Sequence, residues 1–132
     1  MSNKGDALFE AIWRFEHLAV HRYSGSLTGE VLTVLTIMIL DRAGTHPSIT
    51  ELAEFTGLPK STISRYVSNQ LKVGHLQEKV DPQDRRRRVL SPTDAGRKEQ
   101  EWLRDQISEM AESIGHGKVD LVRSLRKFAQ RH

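Results

Sequence analysis

Cysteine is absent from this chain of 132 residues. Disulfides, thiol-based redox sensors, cysteine nucleophiles and thiolate metal sites are therefore excluded. A glycine-rich phosphate-binding loop is missing as well, and the six histidines are scattered along the chain. We find no Ser–His–acid grouping that the predicted helices would bring together. We therefore predict that the chain is not an enzyme and requires no cofactor.

Metal ligands are few once cysteine is excluded. His17 and His21 are four residues apart in a predicted helix, and Glu16 is adjacent to the first of them. Because zinc sites in proteins use three or four protein ligands, two obvious ligands are too few. We interpret these histidines as helix-surface residues and predict no metal site.

Long apolar runs are missing too. The longest, around Val31–Leu40, is much shorter than the roughly 20 residues that a transmembrane helix needs. The N-terminus has no apolar core typical of a signal peptide. We therefore expect a soluble, cytoplasmic protein without a membrane partner.

Acidic residues are absent between Pro59 and Val73, a stretch that we predict to be a helix. At 100° per residue, Ser61, Arg65 and Lys72 share one face of this helix. The opposite, inward positions are Ile63, Tyr66, Val67 and Gln70, with Leu71 at the margin. A solvated helix usually alternates acidic and basic residues to gain ion pairs. A face with hydroxyls, amides and cations but no carboxylate favours contact with the phosphates and base edges of DNA.

Four consecutive arginines follow this helix. We predict two short strands, His75–Lys79 and Arg87–Ser91, joined by Val80–Arg86 with its Asp-Pro turn signal. A helix followed by an arginine-tipped hairpin indicates a winged helix-turn-helix. Residues 57–98 hold ten Lys or Arg against four Asp or Glu, a net of +6 in a chain whose total is +3. A basic block of this kind marks a surface for a polyanion.

Apolar periodicity and capping signals predict six helices around this hairpin. They cover about residues 5–22, 28–42, 48–56, 59–73, 93–114 and 118–130. Ser48 and Glu51 form a capping-box signature, Gly57 marks a tight turn, and Thr93 is the predicted N-cap of the fifth helix. The fold class is therefore mainly α with a small β-hairpin wing, in a single domain of residues 1–132.

The first, fifth and sixth helices carry more apolar surface than one small core needs. The fifth has a heptad-like seam, which is typical of helices that pair. We predict that residues 1–26 and 94–132 form a dimerisation layer and that residues 27–93 form the DNA-binding lobe. The predicted interface residues are Leu8, Ile12, Phe15, Leu103, Ile107, Met110, Ile114, Leu121, Leu125 and Phe128.

Five segments carry a family resemblance: Leu27-Thr28, Ile49–Ala53, Ser61–Arg65, Asp81–Arg86 and Leu90–Gly96. On these segments the chain resembles the MarR family of bacterial and archaeal transcriptional regulators. The resemblance implies a homodimer whose first helix and last two helices form the interface. It further implies that the fourth helix enters the major groove of double-stranded DNA and that the wing lies at the adjacent minor groove.

The resemblance also implies roles for single residues. Ser61, Thr62 and Arg65 fall where the recognition helix of the family reaches bases and nearby phosphates. Arg86 falls on the wing arginine that probes the minor groove, and Asp84 on the acidic residue that braces the wing. Two residues depart from the family pattern, Gln70 at a usual leucine and Gln83 at a position often charged.

The predicted DNA contacts combine the outward helix face with the arginine run. They are Lys60, Ser61, Thr62, Ser64, Arg65, Ser68, Asn69, Lys72, Arg85, Arg86, Arg87 and Arg88. Because Arg87 and Arg88 are adjacent in a predicted strand, their side chains should point to opposite faces. The sequence does not decide which of the two faces DNA.

The function that we predict is a sequence-specific double-stranded DNA-binding transcriptional regulator, which we expect to be a repressor that binds a pseudo-palindromic operator. The alternative is a winged-helix module for protein interaction, with its basic face docked on an acidic partner, since a fold does not fix function. Some MarR-like proteins bind small molecules, but the sequence identifies no effector, operator or target gene.

Overall fold

A computed structural model of the chain describes residues 3–23, 28–112 and 121–131. Its elements are α1 (Asn3–Arg22), α2 (Thr28–Arg42), α3 (Ile49–Thr56), α4 (Lys60–Val73), β1 (Leu76–Asp81), β2 (Asp84–Pro92), α5 (Asp94–Glu112) and α6 (Leu121–Arg131). Over these ranges the predicted fold class is confirmed, with six helices and a two-stranded antiparallel wing. The predicted end of the fifth helix at Ile114 and start of the sixth at Lys118 lie outside the described residues. None of the described helices has the length and apolar character to cross a bilayer.

The chain forms two compact units. The terminal unit comprises Met1–Ser26 and Trp102–His132, and the winged-helix unit comprises Leu27–Glu101. The helices α2, α3 and α4 and both strands belong to the winged-helix unit, whereas α1 and α6 belong to the terminal unit. Each unit has buried apolar residues of its own.

The core of the winged-helix unit draws on every element from α2 to β2. Its buried cluster consists of Ile37, Leu52, Ile63, Val67, Leu76 and Leu90. On α4 the predicted inward face is confirmed, because Ile63, Tyr66 and Val67 are buried and Gln70 and Leu71 are half-buried. These positions repeat at helical spacing, so their burial turns the opposite face of α4 outward.

Local capping determines where α3 and α4 begin and end. The Ser48 hydroxyl accepts a hydrogen bond from the backbone N–H of Glu51 (3.2 Å), and the Glu51 carboxylate accepts one from the backbone N–H of Ser48 (3.0 Å). This reciprocal pair confirms the predicted capping box. Gly57 after α3 and Gly74 after α4 have φ values of 74° and 83°, in the left-handed region that favours glycine.

The wing strands reach further toward the tip than the sequence predicted. β1 and β2 pair antiparallel, with one irregularity between Val80 and Asp81. Only Pro82 and Gln83 lie between the strands, so the predicted connection Val80–Arg86 was wrong. The residues near the tip are nearly all polar and lack the apolar alternation by which a strand is recognised. Their strand conformation depends on backbone pairing with the opposite strand, which a local pattern does not show.

Two aspartates shape the turn at the wing tip. The Asp81 carboxylate accepts a hydrogen bond from the backbone N–H of Gln83 at 2.9 Å, and the Asp84 carboxylate accepts one from the backbone N–H of Arg86 at 3.0 Å. Aspartate favours tight turns because its short side chain bonds the backbone two residues later. Asp84, the residue predicted to brace the wing, therefore holds the backbone at Arg86.

In the terminal unit, α1 packs against α6. Leu18 on α1 and Leu103 and Met110 on α5 are buried. The Arg22 guanidinium lies over the Trp102 ring, with its carbon 3.7 Å from the ring centroid. This is a close cation–π contact, and it joins the end of α1 to the middle of α5.

Candidate nucleic-acid interface

The outward face of α4 is exposed and carries no carboxylate. The exposed residues are Lys60, Ser61, Ser64, Arg65, Ser68, Asn69 and Lys72, and Thr62 is half-buried. The Arg65 guanidinium carbon lies 5.6 Å from the centroid of the Tyr66 ring, within the range of a cation–π contact. The face therefore offers hydroxyls, amides and cations to an anionic partner, with Arg65 near its middle.

The first turn of α4 leaves its polar groups available to such a partner. Pro59 is the N-cap, and among the residues that the structure describes no side chain caps this helix. The first backbone bond into the helix runs from the Ile63 N–H to the Pro59 carbonyl at 3.0 Å. The N–H groups of Lys60, Ser61 and Thr62 therefore have no acceptor within the helix. The positive end of the helix dipole lies at the same place, which makes the turn suitable for a phosphate.

The four wing arginines divide into two pairs. Arg87 and Arg88 form ion pairs within the winged-helix unit; for Arg88 the partner is Glu78 across the hairpin, at 2.7 Å. Arg85 and Arg86 are exposed, and neither forms an ion pair in the part of the chain that the structure describes. The charges of Arg85 and Arg86 are thus available to bind an external anion.

Arg87 joins the wing to α3. One of its terminal nitrogens donates to the Asp81 carboxylate at 2.7 Å, and the other donates to the Glu51 carboxylate that closes the α3 capping box. The backbone adds a second link, because the Leu90 N–H donates to the Pro47 carbonyl at 2.8 Å. The wing is therefore held against the start of the helix-turn-helix at two points.

Asn69 lies on the outward face of α4, but its amide is engaged by another helix. The Asn69 amide nitrogen donates to the Glu30 carboxylate at 3.0 Å, and the Gln70 amide nitrogen donates to the other oxygen at 3.2 Å. Gln70, the departure from the usual leucine, thus has a polar partner. Sequence reasoning missed Glu30, which lies on α2, 39 residues before Asn69.

The predicted dimer residues differ in exposure. Leu8, Ile12 and Ile107 are exposed, Phe15 and Leu125 are half-buried, and Leu103 and Met110 are buried within the chain. Ile114 and the side chains of Leu121 and Phe128 lie outside what the structure describes. Three further exposed apolar residues in this unit, Phe9, Val20 and Val122, were not among those predicted.

The two histidines that the sequence singled out lie against each other on α1. Their ring centroids are 4.5 Å apart, and the Trp13 ring centroid lies 4.8 Å from that of His17. Among the described residues, no group of three His, Asp or Glu side chains is placed to hold a metal ion.

Solved structures share this fold. A MarR-like transcriptional regulator from Thermotoga maritima is 20% identical, with a TM-score of 0.66 over 96% of this chain and 89% of that one. A MepR mutant from S. aureus bound to an oligodeoxyribonucleotide is 16% identical, with a TM-score of 0.61 over 96% and 86%. CouR from Rhodococcus jostii, bound to p-coumaroyl-CoA, is 20% identical, with a TM-score of 0.61 over 91% and 81%. At these identities the likeness shows the fold alone.

No curated protein sequence matches the chain. The family comparison does give a match, because residues 27–87, from the residue before α2 into the second wing strand, match the MarR family. This segment contains the helix-turn-helix, the exposed face of α4 and three of the four wing arginines, Arg85, Arg86 and Arg87. Over residues 27–87, a little less than half of its length, the chain is therefore similar to the MarR family, and the solved structures add a shared fold.

Proposed function

We propose that this chain is a sequence-specific repressor that binds a pseudo-palindromic operator in double-stranded DNA as a homodimer. In each half-site α4 lies in the major groove, and the wing lies at the adjacent minor groove. One observation carries the proposal: Arg85 and Arg86 are exposed without an ion pair in the described part of the chain, in the same unit as an α4 face that has no carboxylate. Such cations are suited to neutralise phosphates and release counterions.

The residues of the outward face then take different tasks. Arg65 lies near the middle of the face and has the reach to donate two hydrogen bonds to guanine, the commonest specific contact in the major groove. Lys60 and Lys72, near the two ends of α4, are suited to phosphates, which position the helix without reading sequence. Arg86, whose backbone is held by Asp84, is the wing residue assigned to the minor groove.

Exposed apolar side chains in the terminal unit support the homodimer. On α1, Phe9 is 72% exposed, Ile12 60% and Val20 64%, and Val122 on α6 is 58% exposed. Burial of such side chains against a second copy removes apolar area from water, which is the main driving force of association. Two α4 helices in one dimer predict half-sites whose centres are about 34 Å apart, one turn of the duplex.

Binding to labelled duplexes tests the proposal. Fluorescence anisotropy with a duplex from the protein's own upstream region, and with a scrambled duplex of equal composition, is measured across a salt series. We expect tight binding to the native duplex alone, with a steep loss of affinity as salt rises because phosphate contacts release counterions.

Two outcomes would contradict the proposal in different ways. Equal, salt-sensitive binding to both duplexes would show that the basic surface binds DNA but would contradict specific recognition of this operator. Absence of binding to either duplex at low salt would favour the alternative, in which the basic face docks an acidic protein.

A further inference from the structure

Glu30 is a buried carboxylate whose place in the fold is not explained by the apolar core. It lies in the first turn of α2, and only 6% of its surface is exposed. Burial of a carboxylate is costly unless hydrogen bonds replace its water. Both of its oxygens accept from α4, one from Asn69 at 3.0 Å and the other from Gln70 at 3.2 Å. The second half of the recognition helix is therefore attached to α2 through one side chain.

Close packing surrounds this attachment. A Cβ added at Gly29, the residue before Glu30, would lie 2.9 Å from the Tyr66 hydroxyl and 3.3 Å from a Leu58 methyl. The absence of a side chain at Gly29 thus lets the start of α2 approach α4 closely. This close approach beside Glu30, together with the burial of Glu30 itself, leaves the carboxylate little freedom to adopt another geometry.

The chemistry of the pair determines which way the Asn69 amide points. An ionised carboxylate offers only acceptors, so the NH2 group of Asn69 must face Glu30. The carbonyl oxygen and the second N–H then remain for another partner. Asn69 is exposed and follows Arg65 by four residues, so it lies about one helical turn further along and about 40° round the helix.

An asparagine amide recognises adenine through these same two groups. Its N–H donates to N7 and its carbonyl oxygen accepts from the N6 amino group in the major groove. We propose that Glu30 is a positioning residue that presents Asn69 to a base edge, and that the chain therefore selects adenine at one position of each half-site. This inference rests on the proposed function, since it requires α4 to lie in the major groove.

The test begins with duplexes selected from a random-sequence library by the full-length protein. Dissociation constants are then measured by anisotropy on the selected duplex and on duplexes in which each A·T pair is replaced in turn by G·C. At one position the unaltered protein should discriminate by about 5- to 150-fold, the range expected for a bidentate contact. With Asn69→Ala this discrimination should fall to near one, while discrimination at other positions persists.

Glu30→Gln separates positioning from mere packing. The glutamine preserves shape but has one acceptor oxygen and one NH2 group in place of two acceptor oxygens, so it cannot accept at both positions where Glu30 does. It should weaken discrimination at the position that Asn69 governs and at no other. Gln70→Leu is the matched control, because it removes the second hydrogen bond to Glu30 but leaves Asn69 in place, and it should retain discrimination.

Three outcomes would overturn the inference. Equal losses on every duplex for Asn69→Ala would show that Asn69 does not read a base. Full discrimination by a folded Glu30→Gln protein, with folding checked by circular dichroism, would remove the positioning role. Enrichment of no sequence from the library would contradict the proposed function itself, a failure distinguishable from the first two.

Discussion

Arg65 is the long cation at the middle of the outward face, so its removal tests base readout most directly. We expect Arg65→Ala to weaken operator binding by about 1–3 kcal/mol and to relax the preference at one base pair, because a two-bond contact to guanine is lost. The measurement is anisotropy on the operator and on its single-base variants. Lys72→Ala is the control and should weaken binding uniformly, since a phosphate contact carries no sequence information. If Arg65→Ala also lowers affinity equally for every single-base variant, Arg65 contacts phosphate and not a base.

Alanine substitutions of the wing arginines should affect the salt dependence of DNA binding differently, according to whether the arginine has an ion-pair partner. Arg86→Ala should reduce the slope of log affinity against log salt by about one phosphate contact, because an exposed cation is removed from the interface. Arg87→Ala should leave this slope unchanged, because the charge is already paired with Asp81 and Glu51. Since those groups are partly exposed, the cost to stability should be at most about 1 kcal/mol. An unchanged slope with Arg86→Ala would exclude the wing tip from DNA contact.

Among the elements, the start of α5 depends on Gly96. A Cβ there would lie 2.1 Å from the His75 carbonyl oxygen, a backbone atom that cannot turn away. We expect Gly96→Ala to destabilise the fold by about 1–3 kcal/mol, the usual cost of overpacking, in urea unfolding followed by circular dichroism. Gly5→Ala on α1 is the control, since no atom of the described residues lies within 4 Å of its added Cβ. Its effect should be neutral or stabilising by at most about 1 kcal/mol, and equal stability of both variants would contradict the packing argument.

A polar cluster joins the end of α2 to the start of α5. The Asp41 carboxylate accepts hydrogen bonds from Arg97 at 3.1 and 3.4 Å and lies 3.0 Å from His46 Nε2. Burial by itself raises the pKa of Asp41, but the hydrogen bonds and charges of Arg97 and His46 outweigh it, so the pKa lies below its ordinary value. A lowered pKa stabilises the fold above about pH 4, and that contribution is lost as the pH falls through the folded-state value.

Acid unfolding measures this contribution. Arg97→Gln should raise the pKa of Asp41 and move the acid-unfolding midpoint to higher pH, because the strongest partner of the carboxylate is removed. Lys98→Gln removes an equal charge from the adjacent exposed position and should leave the midpoint nearly unchanged. If both variants shift equally, net charge and not the Asp41 cluster governs acid stability.

The sequence predicted those elements whose determinants are local. The inward face of α4, the capping box at Ser48 and the N-cap at Thr93, which accepts from the Gly96 N–H at 3.1 Å, follow from spacing of a few residues. Polar pairs distant in sequence were not predicted. Arg87 and Glu51 are 36 residues apart and Asp41 and Arg97 are 56 apart, and such pairs leave no periodic signal. The ion pairs of Arg87 and Arg88 were therefore found only once the fold was known.

At the scale of the whole molecule, the homodimer is the prediction with the widest consequence. Ile12→Asp places a charge on an α1 side chain that is 60% exposed, so the monomer should fold while burial against a second copy becomes costly. Light scattering at micromolar concentration should give a dimer mass for the unaltered protein and a lower mass for the variant. Phe55→Asp, at an exposed apolar position on α3, is the control and should remain dimeric. A monomer mass for the unaltered protein would refute the dimer.

The double use of Glu51 limits how freely this protein can be recombined with its relatives. One carboxylate oxygen receives both the capping hydrogen bond of Ser48 and the ion pair of Arg87. The wing consequently cannot be replaced without affecting the start of α3. A chimera that takes its wing from a relative without an arginine at position 87 leaves this carboxylate with its helix cap alone. A wing that is exchanged to change operator preference should therefore need a compensating substitution at the start of α3. We expect the wing and the start of α3 to evolve together.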